Sequence, residues 1–421
     1  MPRQDDDSPD FRKRESDLKK KWEGVADNVP VNEIQHSYDS PARERQFIRR
    51  QFPDPGDFAR YQWYREEWYR RAKELDGGPM PLAVTCELVS SCNLQCSMCY
   101  TITPEFQNSV VGKQRMLPFS IVRAVIDECV ALGVPSILFS WRGESAMYVS
   151  RENGETHRFT DVLAYARKAG MLEVTCLTNG RLLREADLEA MVEAEPNWIN
   201  FSVDGLEDAY NKIRAPRAGL KPGENPFQEV AATIRKVVAL RDAAGKTRPQ
   251  IRTNAIFPSV ARNPQAYYDF MRSLGVDWVT INELLDMRGE VLPAEQVVPG
   301  WVCQYPFQRL TVAANGVVLP CTGAHNEEPE LVLGIYRNSS PKQVKDGDGD
   351  WRTVDLPELT LAQAWGCDAL EAIRATHRRG ERTAITGCRN CRHGMVKNGV
   401  TWLPDDWDMD TMQWAGGVWR E

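Results

Sequence analysis

Between about residues 82 and 285, short runs rich in β-formers alternate six times with amphipathic segments, and this alternation restricts the possible folds more than any other feature. The expected strands are 82–87, 136–140, 172–177, 198–203, 250–257 and 277–282. The expected helices are 118–132, 160–168, 185–193, 227–244 and 264–274. The first of these sets the pattern: Pro118 stands at its start, Ile121, Val122, Val125, Ile126, Cys129 and Val130 share one face, and Gly133 ends it. Repeated strand–helix units imply a parallel sheet with helices outside it. Six units are too few to close an eight-stranded barrel.

The loop after the first expected strand holds three cysteines, Cys92, Cys96 and Cys99. Iron–sulfur clusters of the [4Fe–4S] type are ordinarily held by four thiolates, so three would leave one iron open to another ligand. A zinc knuckle with a distant fourth ligand is the alternative that the spacing also allows. Eleven cysteines in a chain whose N-terminus is acidic and unlike an export signal point to a reducing compartment and a cytoplasmic protein, where clustered thiols bind metal more often than they form disulfides. A net charge of -7 argues against nucleic acid as a partner, and no apolar run has membrane-spanning length.

The spacing Cys92-x3-Cys96-x2-Cys99, followed by the aromatic Tyr100, resembles the signature of the radical S-adenosylmethionine (SAM) superfamily. The resemblance implies an α/β fold, a partial (β/α)6 TIM-like barrel. It also implies that the open iron chelates SAM, which is cleaved reductively to a 5′-deoxyadenosyl radical by an electron from an external donor such as flavodoxin or ferredoxin. Active sites of parallel barrels gather at the C-terminal ends of the strands, and the polar motifs lie there in order. Arg142-Gly143-Glu144-Ser145 follows strand two, where the family usually has Gly-Gly-Glu-Pro around the SAM ammonium. Thr178-Asn179-Gly180 follows strand three, and Ser202 and Asp204 end strand four, where relatives touch the ribose or carboxylate. Asn254 lies late in strand five, Met98 stands where the family packs an apolar side chain near adenine, and Arg214 resembles an Arg aimed at the SAM carboxylate. Arg142 and Ser145 depart from the family motif and have no assigned role.

A second cysteine set follows. Cys303 and Cys321 flank a hairpin signalled by Asn315-Gly316, and Cys388 and Cys391 form a two-thiol clip. A zinc ribbon could use these four thiols. They also resemble the SPASM or twitch extension of radical SAM enzymes, including a Gly-x4-Cys element from Gly316 to Cys321. No Cys follows Cys391, so the resemblance implies the twitch form with one auxiliary [4Fe–4S] cluster, in a small α+β domain with a β-hairpin. Cys367 could replace one of these ligands or serve as a hydrogen donor. Cys86, Cys129 and Cys176 read as small core residues.

The expected organisation is an N-terminal extension (1–80, charged to about residue 40, then an amphipathic segment at 58–75), a barrel (81–290), an auxiliary domain (291–395) and a Trp-rich tail (396–421). The extension lacks the alternating strands of a peptide-binding unit, which favours a small polar substrate, carbohydrate-like or aminocyclitol-like, over a peptide. Oxidation or epimerisation are the expected reactions, with Glu283, Asp286 and Arg288 as substrate contacts and His325 as a candidate base. The alternatives are peptide modification, and an iron–sulfur or zinc protein without radical chemistry.

Overall fold

The computed structural model describes residues 35–37, 41–260, 264–282, 300–346, 348–394, 407–408 and 413–414, with scattered positions between 284 and 298. In chain order, the first strands are β1 (Gln35–Ser37), β2 (Ala83–Cys86), β3 (Ser136–Leu138), a separate hairpin of β4 (Val149–Glu152) and β5 (Glu155–Arg158), β6 (Glu173–Thr178), β7 (Trp198–Ser202), β8 (Gln250–Ile256) and β9 (Trp278–Asn282). The six expected strands are all present, and β2, β3, β6, β7, β8 and β9 pair in parallel in that order, forming the partial barrel. Val84, Ile137, Val174, Ile199, Ile251 and Val279 contribute to its fully buried core.

The helices Phe119–Leu132, Phe159–Ala169, Glu185–Ala194, Pro226–Ala243 and Pro264–Ser273 fall within about two residues of expectation. Pro118 caps the first of them, and Gly133 ends it at φ 75, a conformation that costs glycine nothing. The amphipathic segment becomes the helix Pro55–Glu74, started by the Asp54 carboxylate, which accepts from the Asp57 amide. It packs at the foot of the sheet, where the Trp68 carbonyl accepts from Gln308 Nε2 at 2.6 Å. Arg65 and Tyr64 come within electrostatic reach of Glu173, the first residue of β6. Among the described residues, no helix is long and apolar enough to cross a membrane.

The sheet does not stop at β2. On its outer edge β10 (Arg309–Val312) pairs in parallel, from Arg309 opposite Ala83 to Val312 opposite Cys86. Strands β11 (Val317–Leu319), β12 (Gly334–Tyr336) and β15 (Glu358–Leu359) continue the sheet to eleven strands, while β13 (Gln343–Lys345) and β14 (Trp351–Thr353) form a hairpin apart. Because β10 runs parallel to β2, the turn after it emerges at the same end as the first cysteine loop. Gly316, at φ 83 and against Ser339, makes that turn.

Candidate functional site

The first cysteine loop is clamped by its neighbours. Val89 bridges to Met116 and Leu94 to Pro216. The Gln95 amide donates to the Ala215 carbonyl at 2.8 Å and the Ser97 amide to that of Ile213 at 3.1 Å. Gly143 fits against this loop because it has no side chain: a Cβ there would lie 2.1 Å from the Val89 carbonyl oxygen. The Glu144 amide donates to the Ser91 carbonyl at 2.9 Å. Its buried carboxylate accepts from Thr178 Oγ1 and from the Asn179 amide, both at 2.6 Å, and from the Ala146 amide at 3.0 Å. Burial pushes this carboxyl up, and the three donors pull against that.

Asn179, read from sequence as part of a turn, reaches back to the loop: its Nδ2 donates to Asn93 Oδ1 at 2.8 Å and lies 3.9 Å from Cys92 Sγ. Arg217, absent from the sequence reading, donates from Nε to the Cys92 carbonyl at 3.0 Å. An Asn at a strand end signalled the first; nothing local signalled the second.

Cys92, Cys96 and Cys99 lie within one another's electrostatic reach. Burial pushes the Cys92 thiol up to about 11 and that of Cys96 up to about 12, while Arg214 pulls both down. Such thiols ionise when a cation or metal compensates them. Three neighbouring thiols, one buried and two half-buried, with one guanidinium beside Cys92 and Cys96, therefore fit the ligand set of a cluster. Arg214 is held by Asp204, with Oδ2 2.7 Å from Nε and 2.6 Å from Nη2. Asp204 Oδ1 accepts the Ile256 amide at 2.9 Å, so both oxygens of this carboxylate are engaged. Ser202 and Asn254 face each other across β7 and β8, and Asn254 Oδ1 accepts from Thr280 Oγ1 at 3.1 Å. Met98 and Tyr100 are half-buried, and the Tyr100 ring lies 4.5 Å from that of His325 and 5.4 Å from that of Phe106.

Arg142, without a role in the sequence reading, is the centre of a buried charge network. Its Nε and Nη2 donate to Glu87 at 3.0 and 2.7 Å, its Nη1 donates to Glu327 at 2.8 Å, and all three side chains are fully buried. Glu87 Oε2 also accepts the Ala314 amide at 2.9 Å. Glu327 is further held by Asn315 Nδ2 and Lys342 Nζ. Two carboxylates and two cations thus balance, and they fasten the end of β2 to the β10–β11 turn and to the segment after Cys321. Trp141 adds a hydrogen bond from Nε1 to the Thr322 carbonyl at 3.1 Å.

Cys303, Cys321, Cys388 and Cys391 line one partly open recess of roughly 420 Å³, solvent-open space included, together with Trp301, Gly323, His377 and His393. A Cβ on Gly323 would sit 3.3 Å from Cys391 Sγ and 3.5 Å from Cys321 Sγ, so the missing side chain keeps the space between those sulfurs open. The thiols line a wall; among the described residues no three His, Cys, Asp or Glu converge as around a single ion. Burial pushes Cys321 up to about 12, and the neighbouring Cys391 adds to this. Arg382, fully buried, lies within electrostatic reach of Cys391, Cys388 and Cys303, and its Nη1 donates to the Cys388 carbonyl.

Cys367, the other expected ligand or hydrogen donor, is not among the lining residues. It caps the helix Asp368–Arg378, its Sγ accepting the Leu370 amide at 3.4 Å. The sequence reading missed this because a cysteine before a helix carries no chemical label. Cys86, Cys129 and Cys176 are fully buried in the core. His325, expected as a base, is buried beside Tyr100, with Nδ1 3.0 Å from the Gly323 carbonyl. Glu283, Asp286 and Arg288 lie outside the described residues, as do Trp402 and Trp419.

A family model described as the radical SAM superfamily matches residues 87–236. The tungsten-containing aldehyde ferredoxin oxidoreductase cofactor-modifying protein of Pyrococcus furiosus is 24% identical over 213 residues, 48% of this chain and 52% of that protein. The sporulation killing factor maturation protein SkfB of Bacillus subtilis is 23% identical over 163 residues, 38% of this chain and 36% of that protein. This chain therefore spans only about half and about a third of these two relatives. Among solved structures, BtrN in complex with AdoMet and 2-DOIA covers 74% of this chain and 93% of its own at 16% identity, with a TM-score of 0.43. The superfamily uses a [4Fe–4S] cluster and SAM, and the matched segment contains the three-cysteine loop, Gly143, Glu144 and Arg214. Residues 87–236 match this superfamily model and are a radical SAM domain.

Proposed function

We propose that this chain is a radical SAM enzyme that abstracts hydrogen from a C–H bond of a small polar substrate, carbohydrate-like or aminocyclitol-like, with dehydrogenation favoured over epimerisation. The single observation that carries this reading is the second thiol set, four cysteines lining one recess beside Arg382. When bound, a cluster at Cys92, Cys96 and Cys99 with SAM supplies the radical, and a second at Cys303, Cys321, Cys388 and Cys391 supplies an electron sink. The protein's own residues do the rest. Gly143 lets the strand-two loop approach the cysteine loop, and Glu144 offers a carboxylate for the SAM ammonium. Arg214, held by Asp204, is poised for the SAM carboxylate, with Ser202, Asn254, Met98 and Tyr100 lining the same end of the barrel.

A small substrate is supported by the helices at 41–74, which pack at the foot of the barrel, and by the relative named as cofactor-modifying. Peptide modification is the second reading, favoured by the relative named as a maturation protein. The test is anaerobic reconstitution followed by metal analysis and SAM turnover. About eight irons and eight sulfides per chain, with 5′-deoxyadenosine released under reducing conditions, are expected. Zinc alone, with no 5′-deoxyadenosine, would return the chain to a binding or electron-transfer protein. Screening oxidisable cyclitols and sugars against peptides then separates the two substrate readings.

A further inference from the structure

His377 is fully buried and lines the recess of the second thiol set. Its Nδ1 lies 3.2 Å from the Cys303 amide, which donates to it, so Nδ1 carries no proton. In a neutral imidazole the proton then sits on Nε2. Among the described residues that Nε2 has no hydrogen-bond partner. A buried N–H left without an acceptor is costly. Buried polar groups of this kind normally point to a partner that completes them. Here the recess is walled by four sulfurs and kept open by Gly323.

We propose that His377 donates a hydrogen bond from Nε2 to the sulfur of an iron–sulfur cluster held by Cys303, Cys321, Cys388 and Cys391, and so raises its reduction potential. This rests on the reading of those thiols as a cluster site. Hydrogen bonds to cluster sulfur favour the reduced, more negative state, and Arg382 acts in the same sense from beside three of the thiols. His377 is thus a positioning residue that makes the second cluster a better electron acceptor, as a dehydrogenase requires.

The test uses the full-length chain with Cys92, Cys96 and Cys99 changed to Ala, so that the second cluster alone reports. It is titrated anaerobically against dithionite with mediators and followed by electron paramagnetic resonance. Two substitutions separate the two ring nitrogens. His377→Asn keeps an acceptor for the Cys303 amide and loses the donor; His377→Gln keeps a donor near the Nε2 position and loses the acceptor. The Asn variant is expected to lower the reduction equilibrium constant about tenfold, or about 59 mV for a one-electron couple, with the Gln variant close to the parent. An unchanged potential in the Asn variant, or a larger fall in Gln than in Asn, overturns the hydrogen bond and leaves the cluster reading standing. Zinc without iron overturns both. A measurement on the parent, electron–nuclear double resonance of the reduced cluster after 15N-histidine labelling, is expected to show a coupled exchangeable proton and a 15N line. Their absence overturns the proposal without any variant.

Discussion

The two thiol sites of this chain are assembled on different plans. Cys92, Cys96 and Cys99 lie in one loop after β2, gripped by backbone hydrogen bonds to 213–217 and by Asn179 and Arg217. The other four come from the segment before β10, the segment after β11 and the two ends of a short turn near residue 390. Spacing along the chain sets the first site, whereas the second exists only when separate segments are brought together. Charge, through Glu87, Arg142, Glu327 and Lys342, fastens the segment after Cys321 to the end of β2, at a place where sequence shows nothing but a departure from a family motif. The first site should therefore fail through its own ligands and the second also through residues that touch no thiol.

The sharpest way to break the comparison is at the ligands. Cys96→Ala is expected to abolish 5′-deoxyadenosine release and leave about four irons per chain. Cys388→Ala should also leave about four but keep SAM cleavage, now uncoupled from substrate oxidation. Metal analysis and a nucleoside assay on the same samples check both, and cleavage lost in both would mean that the sites are not separable. Arg142→Met comes next, because it leaves Glu87 and Glu327 buried without their cation. Removing one partner of a buried pair costs about 3–5 kcal/mol, and denaturant unfolding should register it, with iron lost from the second site before the first.

This variant also carries a pH signature. Burial pushes the Glu327 carboxyl up, but Arg142, Lys342 and Asn315 outweigh it and hold it below the ordinary value. A lowered folded-state pKa stabilises above the unfolded value and is lost as pH falls through the folded one. The gap between parent and Arg142→Met should narrow as pH drops below the ordinary glutamate range, about 4.3. A gap constant with pH would remove Glu327 from the account.

Gly143→Ala is a smaller perturbation of the opposite site. Its Cβ would overlap the Val89 carbonyl, and overpacking of this kind costs about 1–3 kcal/mol. Iron should be lost from the first site while the second keeps its own. Smallest is Cys367→Ala, which removes a weak helix cap and should cost at most about 1 kcal/mol. Loss of an epimerised product in this variant would assign the hydrogen-donor role to Cys367.

Much of the barrel was legible because its signals are local. Alternation of period gave all six strands, and Pro118 and Gly133 bracketed their helix within a residue. Asn315-Gly316 marked the hairpin turn, yet sequence gave no hint that the Asn315 amide would hold Glu327 as well. The parallel pairing of β10 with β2 was equally silent, since a sheet edge recruits its neighbour by hydrogen bonds that any backbone can make. Cys367 and Arg142 were the reverse case: residues with conspicuous chemistry that the structure places at a helix cap and in a buried ion network.

The sequence by itself determined the partial barrel, the three-cysteine loop at the end of its first strand, and the presence of four later thiols suited to a second site. It could do so because strand–helix periodicity and close ligand spacing act over a few residues. Only the tertiary structure decided that β10 extends the barrel sheet, that Arg142 sits between Glu87 and Glu327, and that His377 presents an N–H without a partner among the described residues. These depend on which distant groups are desolvated side by side, and burial, not chain order, sets the strength of a charge or an unpaired hydrogen bond.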